Sequence, residues 1–156
     1  MARAGFWPIG GYTISFRPDG RWYADDEVIG NAKIARLFSR HVQYDAKDGW
    51  VIDLGIDRQP VVVVDTGLVV VGVEGDAREG LRVRANDGES SLLDPATLEI
   101  GDENVLYCRV ERGERGSFRA RFLRPAYYEL ARWVEEAAEG PVIEVGGERH
   151  VIRGRS

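Results

Sequence analysis

Short runs of β-branched and aromatic residues, each ended by a turn signal, constrain the fold of this chain more than any other feature. Residues 12–17 alternate apolar and polar side chains, which is typical of a half-buried strand. Pro18-Asp19-Gly20 is a turn signal, and Trp22 begins a returning strand. The sequence therefore predicts that the chain opens with a β-hairpin.

The same pattern continues along the rest of the chain. Residues 61–64 and 68–73 are rich in valine, as buried strands require, and are predicted to be strands joined by a turn at Asp65-Thr66-Gly67. The Gly113-Glu114-Arg115-Gly116 loop predicts another hairpin. Further strands are predicted at residues 50–54, 81–85, 104–112, 117–123, 142–145 and 150–152.

Two segments have helical periodicity instead. Apolar residues recur on one helical face from Ile34, and Asn31 can cap it, so a helix is predicted from Asn31 to Val42. Pro125 suits the first turn of a second helix, which Gly140-Pro141 would end. The apolar face predicted for this second helix consists of Leu130, Trp133, Val134 and Ala137.

Two helices among roughly nine strands, with no alternation of strand and helix, predict an α+β fold with mostly antiparallel pairing. A faint repeat accompanies them: Gly-x-Val-Ile-acid-aliphatic-Gly occurs at residues 49–55 and 140–146, after helices that carry Ala35-Arg36 and Ala131-Arg132. We therefore expect two similar small lobes, each a helix packed on a curved, mostly antiparallel sheet. The predicted division places residues 1–75 in one lobe and residues 76–156 in the other.

Charge, cysteine content and hydropathy limit which partners and which cellular compartment we expect for this chain. The formal net charge is −5, whereas a free-standing nucleic-acid binder is usually basic, so no nucleic-acid partner is expected. The longest apolar stretch, residues 61–73, is broken by polar residues and is too short to span a bilayer. A single cysteine and the lack of a signal-peptide pattern in residues 1–10 favour a cytoplasmic protein with no membrane partner.

Few sequence features point to catalysis. Asp65-Thr66-Gly67 after four valines is similar to the active-site motif of retroviral-type aspartic proteases, but Leu68 replaces the usual Ser or Ala, so a turn is the favoured interpretation. Asp25 and Asp26 precede the first helix, where acidic residues are favourable without any chemical role. His41, His150 and Cys108 have no metal-ligand spacing. No cofactor and no metal are predicted.

Arginines give the best indication of a ligand site. The chain has nineteen arginines and two lysines. Arg82 and Arg84 share one strand face, and Arg119 and Arg121 share another. If the two strands were neighbours, four guanidiniums could hold an anion. The alternative is a solvated face neutralised by nearby acids such as Glu111 and Glu114.

Several blocks of sequence resemble a bacterial family known as domain of unknown function 1285. The block that carries the resemblance is Arg124-Pro125-Ala126-Tyr127-Tyr128-Glu129-Leu130. Four further blocks agree in order: residues 19–22, 29–30 with 37–39, 63–69 and 81–86. Residues 54–58 and 148–152 depart from the family pattern. The resemblance implies two similar α+β lobes and a role in signalling or regulation, and it carries no established active site.

We therefore expect a non-enzymatic cytoplasmic binding or regulatory module, with a small anionic ligand or a protein partner. Its candidate ligand contacts are Arg82, Arg84, Asn86, Arg119, Arg121, Arg124 and Tyr128. One alternative is a small hydrolase that uses Asp65 or the Asp25/Asp26 pair. The other is a protein-interaction domain in which Trp7, Trp22 or Trp50 is an exposed anchor.

Overall fold

The structure, a computed structural model, describes residues 11–154. The two helices are α1 (Ala32–His41) and α2 (Arg124–Ala131). The strands are β1 (Ile14–Phe16), β2 (Trp22–Ala24), β3 (Glu27–Val28), β4 (Val42–Asp45), β5 (Gly49–Asp53), β6 (Arg58–Pro60), β7 (Val62–Val63), β8 (Leu68–Asp76), β9 (Gly80–Ala85), β10 (Ser90–Leu92), β11 (Glu99–Ile100), β12 (Leu106–Glu111), β13 (Ser117–Phe122), β14 (Val134–Ala137), β15 (Gly140–Val145), β16 (Glu148–Val151) and β17 (Arg153–Gly154). Short 3₁₀ turns cover Pro95–Thr97, Asp102–Asn104 and Gly113–Arg115.

These strands form four sheets within the described residues. The largest has seven strands in the order β10-β9-β8-β13-β12-β11-β17, and a four-stranded sheet has the order β3-β2-β1-β7. Two three-stranded meanders, β4-β5-β6 and β14-β15-β16, complete the set. Most neighbouring strands are antiparallel; the parallel pairs are β1 with β7, β8 with β13 and β11 with β17. The predicted α+β class is confirmed.

The opening hairpin and the first helix follow the predicted chemistry. Gly20 has a φ of +81°, and a Cβ there would lie 3.0 Å from a Val69 methyl group, so the turn between β1 and β2 needs glycine in a left-handed conformation. The Asn31 Oδ1 accepts hydrogen bonds from the amides of Lys33 and Ile34 and so caps α1.

The second helix is shorter than predicted. It ends at Ala131, and Val134–Ala137 forms strand β14, in which Val134 pairs with Ile143 of β15. The apolar spacing of this segment fits a helix, but pairing with β15 completes a meander and buries the same valine against another strand. Tertiary pairing thus overrides the local pattern.

The segment Asp65-Thr66-Gly67 is also not a hairpin turn. Strand β7 before it pairs with β1, whereas β8 after it pairs with β9 and β13. The segment therefore carries the chain from one sheet to another.

The expected two similar lobes are present, and they share one topology. The N-terminal lobe, residues 14–63, runs from β1 to β7, and the C-terminal lobe, residues 99–154, runs from β11 to β17. Each lobe has three antiparallel strands, a helix, a three-stranded meander and a final strand parallel to the first; the sheet orders are β3-β2-β1-β7 and β13-β12-β11-β17. Strands β8, β9 and β10 connect the lobes, and the predicted division at residue 75 falls within β8.

Only part of the sequence repeat reflects this topology. The Gly-x-Val-Ile segments are β5 and β15, which are equivalent middle strands of the two meanders. The Ala-Arg pairs are not equivalent, because Ala35-Arg36 lies in the middle of α1, whereas Ala131-Arg132 lies where α2 ends.

One hydrophobic core extends through both lobes and the strands between them. It includes Phe16, Trp22 and Phe38 in the N-terminal lobe, and Leu106 and Leu130 in the C-terminal lobe. None of the helices in the described part of the chain has the length and hydropathy needed to cross a membrane.

Candidate functional site

The four arginines of the predicted patch point to one face of the seven-stranded sheet. Val70 pairs with both Ala85 and Phe122, so those two buried side chains share the opposite face. Arg82 and Arg84 alternate with the buried residues of β9, as Arg119 and Arg121 do with those of β13. However, β8 lies between β9 and β13, and the two pairs of arginines are therefore not on adjacent strands.

The β9 residues of the predicted site have other partners. Arg84 forms an ion pair with Glu74, with an Nη1–Oε2 distance of 2.6 Å. Asn86 accepts a hydrogen bond from the Val69 amide at 2.9 Å and donates one to the Ser39 hydroxyl at 2.7 Å. Asn86 thus attaches the end of α1 to the sheet. Arg82 is exposed and donates a long hydrogen bond of 3.4 Å to the Ser90 carbonyl.

Arg119 and Arg121 lie in a charged network that includes Asp65. The Arg121 Nη1 is 3.0 Å from the Asp65 Oδ2, and the Tyr107 hydroxyl donates to that oxygen at 3.0 Å. Burial, followed by the hydrogen bond to Asp65, raises the pKa of Tyr107, so it remains a donor. Arg119 lies over the Tyr107 ring at 3.6 Å and forms an ion pair with Glu99 at 3.1 Å.

The other two residues of the Asp-Thr-Gly motif have structural contacts as well. The Thr66 hydroxyl donates to the Leu68 carbonyl at 2.6 Å and accepts from the Arg121 amide at 3.3 Å. A Cβ on Gly67 would lie 2.6 Å from the Trp50 ring, so only glycine fits there. The contacts of the whole motif therefore account for it without catalysis.

Three arginines border one small groove that the sequence analysis did not predict. We define the arginine groove by Arg109, Arg119 and Arg153 with Glu99; its volume is about 210 Å³. Arg109 donates to the Ser117 hydroxyl at 3.0 Å, and Arg153 donates to the Ala96 carbonyl at 3.4 Å. Among residues 11–154, only Arg119 of the three has an ion-pair partner.

The prediction missed two arginines, Arg109 and Arg153, for different reasons. Arg109 is the direct cross-strand partner of Arg119 in the β12–β13 hairpin. A symmetric hairpin around the predicted four-residue loop would instead pair Arg109 with Ala120, so the observed register differs from the predicted one by one residue. Arg153 enters because β17 pairs in parallel with β11, which places it beside Glu99. No local pattern indicates that pairing.

Three residues of the predicted site meet in a separate cleft at the start of α2. We call it the α2 cleft; Arg121, Arg124 and Tyr128 line it, and its volume is about 570 Å³. Asp19 and Glu103 also line it, so its charges balance. Arg124 has no ion-pair partner among residues 11–154, and Leu123, the residue before α2, provides no side-chain cap.

An apolar cavity adjoins the α2 cleft. Its volume is about 350 Å³, and the two spaces share Asn104, Leu106 and Tyr127. We call it the C-lobe cavity. Its apolar lining consists of Ile100, Leu106, Leu130, Ala131, Val134, Pro141 and Ile152, and Glu136 also borders it.

A buried ion cluster connects the β12–β13 hairpin with α1. Arg112 contacts both carboxylate oxygens of Asp87, at 2.7 and 3.2 Å, and Arg115 lies 3.3 Å away. Arg115 also donates to the carbonyls of Ser39 and Val42. Burial opposes ionisation of Asp87, but the arginines and the Glu89 amide outweigh it and hold its pKa below the usual value. This cluster has a structural role.

The remaining sequence candidates have structural or surface roles. Asp25 accepts from the Thr13 amide at 3.0 Å, and Asp26 pairs with Arg17 at 3.1 Å. Burial raises the pKa of Cys108 to about 12, which makes it an unreactive thiol. His150 is half-buried and lies near Glu148. Residues 11–154 contain no group of three His, Cys, Asp or Glu side chains able to hold a metal.

The tryptophans do not form exposed anchors where the structure describes them. Trp22 is buried, with 1% of its surface exposed, because it packs between Phe16 and Phe38. Trp50 packs against Phe118 and Tyr44. The prediction of an exposed anchor at Trp22 is therefore wrong, and Trp7 lies outside the described residues.

Two solved structures have the same fold as this chain. A DUF1285 family protein from Shewanella baltica OS155 matches with a TM-score of 0.60 at 20% identity, covering 78% of this chain and 91% of that chain. A DUF1285 family protein from Silicibacter pomeroyi DSS-3 matches with a TM-score of 0.64 at 17% identity, covering 97% of this chain and 86% of that chain. The chain has the DUF1285 fold.

The resemblance to DUF1285 in the sequence is thus confirmed at the level of the fold. No protein-family model matches the chain, and no curated protein matches it significantly. The names of the two DUF1285 structures assign no ligand or activity, so the functional argument depends on the geometry of this chain.

Proposed function

We propose that this protein is a cytoplasmic, non-enzymatic binding module that holds a small anion in the arginine groove. The observation that carries the proposal is the imbalance of charge there: three guanidiniums border a space of about 210 Å³ with one carboxylate, Glu99. An anion that bridges Arg109 and Arg153 would reduce the repulsion among the guanidiniums. Guanidinium groups bind carboxylates and phosphates through paired hydrogen bonds, so those oxyanions are the expected ligands.

Other arginines on the same sheet face are less suited to a ligand. Arg84 has Glu74 as its own partner, and Arg121 has Asp65. An incoming anion would have to displace a carboxylate at either position. At the groove, Arg109 and Arg153 have polar but no acidic partners within residues 11–154, and their side chains are exposed.

The surroundings of the candidate catalytic groups support binding without turnover. Asp65 accepts hydrogen bonds from Arg121 and Tyr107, so its carboxylate is held by structural partners and faces no second aspartate within residues 11–154. This contrasts with an aspartic protease, in which two aspartates share a proton. A module that binds an anion without transforming it fits the regulatory or signalling role implied by the family resemblance.

The test is a thermal-shift titration with inorganic phosphate, pyrophosphate and citrate, against sodium chloride at equal ionic strength. At ten times the Kd, binding stabilises the folded state by about 1.4 kcal/mol. For a domain of this size, that raises the Tm by about 3–6 °C. Arg119→Gln and Arg153→Gln should each abolish most of the shift, because the groove then loses a guanidinium.

Arg82→Gln is the matched control. Arg82 is an exposed arginine on the same sheet face, but it does not line the groove. It should retain the full shift. If none of the three anions raises the Tm of the unmodified protein, or if Arg82→Gln loses as much as Arg153→Gln, the proposed site is wrong.

A further inference from the structure

The repeated topology allows the interiors of the two lobes to be compared residue by residue. Phe16 of β1 pairs with Trp22 of β2 and also faces the last strand of its lobe. Ile100 of β11 pairs with Leu106 of β12 and faces the last strand of its own lobe. The same number of residues separates the members of each pair. Phe16 therefore corresponds to Ile100, and Trp22 corresponds to Leu106.

The helices give a third correspondence. Val42 begins the strand after α1, and Val134 begins the strand after α2. Each valine pairs with the isoleucine of the Gly-x-Val-Ile segment in the next strand. Phe38 and Leu130 precede these valines by the same interval, so they correspond.

Aromatic rings fill the N-terminal lobe at these positions. The ring centroids of Phe16 and Trp22 are 4.8 Å apart, and those of Trp22 and Phe38 are 5.5 Å apart. All three side chains are buried. The Trp22 indole N–H donates to the Ser39 hydroxyl at 3.0 Å, so its polar atom is also satisfied.

Aliphatic residues replace all three rings in the C-terminal lobe. Ile100, Leu106 and Leu130 border the C-lobe cavity of about 350 Å³. Ala131, the counterpart of Ser39, borders it too and has no hydroxyl. The cavity thus adjoins the positions at which the N-terminal lobe has aromatic side chains, and the side chains of Leu106 and Leu130 form its buried floor.

Apolar space of this size has an energetic consequence. Water in a space with an apolar lining has few polar partners, so an apolar ligand that replaces this water is favoured. An enclosed apolar cavity of about 150 Å³ already binds benzene. Asn104, Tyr127 and Glu136 also line this cavity, and their exposed side chains place its opening at the solvent, where the α2 cleft begins.

We propose that the C-lobe cavity binds a linear aliphatic chain whose polar end remains in the α2 cleft. At about 30 Å³ for each heavy atom, the liquid-water value, the 350 Å³ hold on the order of ten heavy atoms. The cavity and the arginine groove lie on opposite faces of β11 and β17, since Ile100 and Ile152 line the former and Glu99 and Arg153 the latter. This proposal therefore does not depend on anion binding in the groove.

The experiment is a calorimetric titration with 1-butanol, 1-hexanol and 1-octanol, which are uncharged and so do not compete for the arginines. Each additional methylene group that enters the cavity should tighten binding about fourfold. The Kd should thus fall by about 200-fold from butanol to octanol, since four methylene groups are added. Methyl resonances of Leu106, Leu130 and Ile152 should shift on titration.

A variant that fills the cavity provides the decisive comparison. Leu106→Trp combined with Ala131→Ser places a tryptophan and a serine at the positions equivalent to Trp22 and Ser39, and it fills the cavity with the indole ring. This variant should lose the dependence of affinity on chain length. Ile100→Phe is a second filling variant, used if the double variant does not melt cooperatively. Arg82→Gln is the matched control, because Arg82 lines neither the cavity nor the groove, and it should retain the full chain-length dependence.

Two results would overturn the proposal. One is an affinity of the unmodified protein that does not increase from butanol to octanol. The other is a chain-length dependence that persists in the filled variant, because the alcohols would then bind elsewhere. Loss of phosphate binding with intact octanol binding in Arg119→Gln would support two independent sites.

Discussion

The two lobes of this protein have the same strand order but interiors of different kinds. The N-terminal lobe packs Phe16, Trp22 and Phe38 ring against ring. The C-terminal lobe has aliphatic residues at the same positions and retains a cavity of about 350 Å³. The difference shows that hydrogen-bonded topology does not require one particular core, since hydrophobic residues of different volume maintain the same strand order. The same topology is therefore compatible with a core filled by rings and with one that leaves a cavity.

The largest effect should come from removing the aromatic core of the N-terminal lobe. Trp22→Ala should lower the free energy of unfolding by about 3–5 kcal/mol, because a buried ring is lost and a cavity forms. Leu106→Ala, at the equivalent position, should cost less, about 2 kcal/mol, because that side chain already borders empty space. Chemical denaturation of the two variants measures the difference. Equal losses would mean that the two interiors are packed equally well.

The second prediction concerns Asp87, which joins the hairpin of the C-terminal lobe to the helix of the N-terminal lobe. Asp87→Asn should destabilise the protein by about 3 kcal/mol at pH 7, because Arg112 and Arg115 would then be buried without a counter-charge. Urea denaturation checks this value. Glu74→Gln, which removes an exposed partner of Arg84, is the control and should cost less than about 1 kcal/mol.

The same residue should make stability depend on pH. The pKa of Asp87 is lower in the folded protein than its ordinary value, so its contribution is fully present above the pKa of the unfolded chain, about 3.9. The contribution is lost as the pH falls through the lower pKa of the folded state. The difference in stability between the unmodified protein and Asp87→Asn should therefore be largest near neutral pH and shrink below about pH 4. A constant difference from pH 7 to pH 3 would contradict this assignment.

The fold could be predicted further from the sequence than the site could. Local signals indicated the opening hairpin, the Asn31 cap and the Gly-x-Val-Ile strands, because each depends on a few adjacent residues. The errors arose where pairing with another strand decides the outcome. Val134 was predicted to lie in a helix but pairs with Ile143, and the segment at Asp65 connects two sheets.

The candidate site depends more strongly than the fold does on pairing between strands that are far apart in sequence. The loop alone could not pair Arg109 with Arg119, because a symmetric hairpin around residues 113–116 is displaced by one residue from the observed register. Arg153 joins them through β17, which pairs with β11 more than fifty residues away in sequence. The C-lobe cavity could not be predicted either. The cavity adjoins Ile100, Leu106 and Leu130, which are smaller than the aromatic residues at the equivalent positions of the N-terminal lobe. This difference in volume becomes clear only when the two lobes are compared strand by strand.

A smaller effect on stability is expected when two residues of the C-terminal lobe are replaced by their N-terminal counterparts. Leu106→Trp with Ala131→Ser should raise the free energy of unfolding by about 1 kcal/mol, as cavity-filling changes commonly do. The gain comes from new contacts around the indole ring. Thermal and urea denaturation check it, with Leu106→Trp alone as the control, which should gain less because its indole N–H lacks a partner. A double variant less stable than the single one would break the correspondence between Ser39 and Ala131.

The smallest effect on stability, with an increase in affinity, is expected from Glu99→Gln in the arginine groove. The Glu99–Arg119 ion pair is partly exposed, with 38% and 35% of the two side chains accessible, so its loss should cost less than about 1 kcal/mol. Removing this carboxylate leaves no acid in the lining of the groove, with Asp65 4.0 Å from Arg119 as the remaining nearby carboxylate, and phosphate should bind several-fold more tightly. Calorimetry at low and at moderate ionic strength measures the change, which should diminish as salt screens the charges. Weaker phosphate binding in Glu99→Gln would mean that Glu99 positions Arg119 for the ligand and does not compete with it.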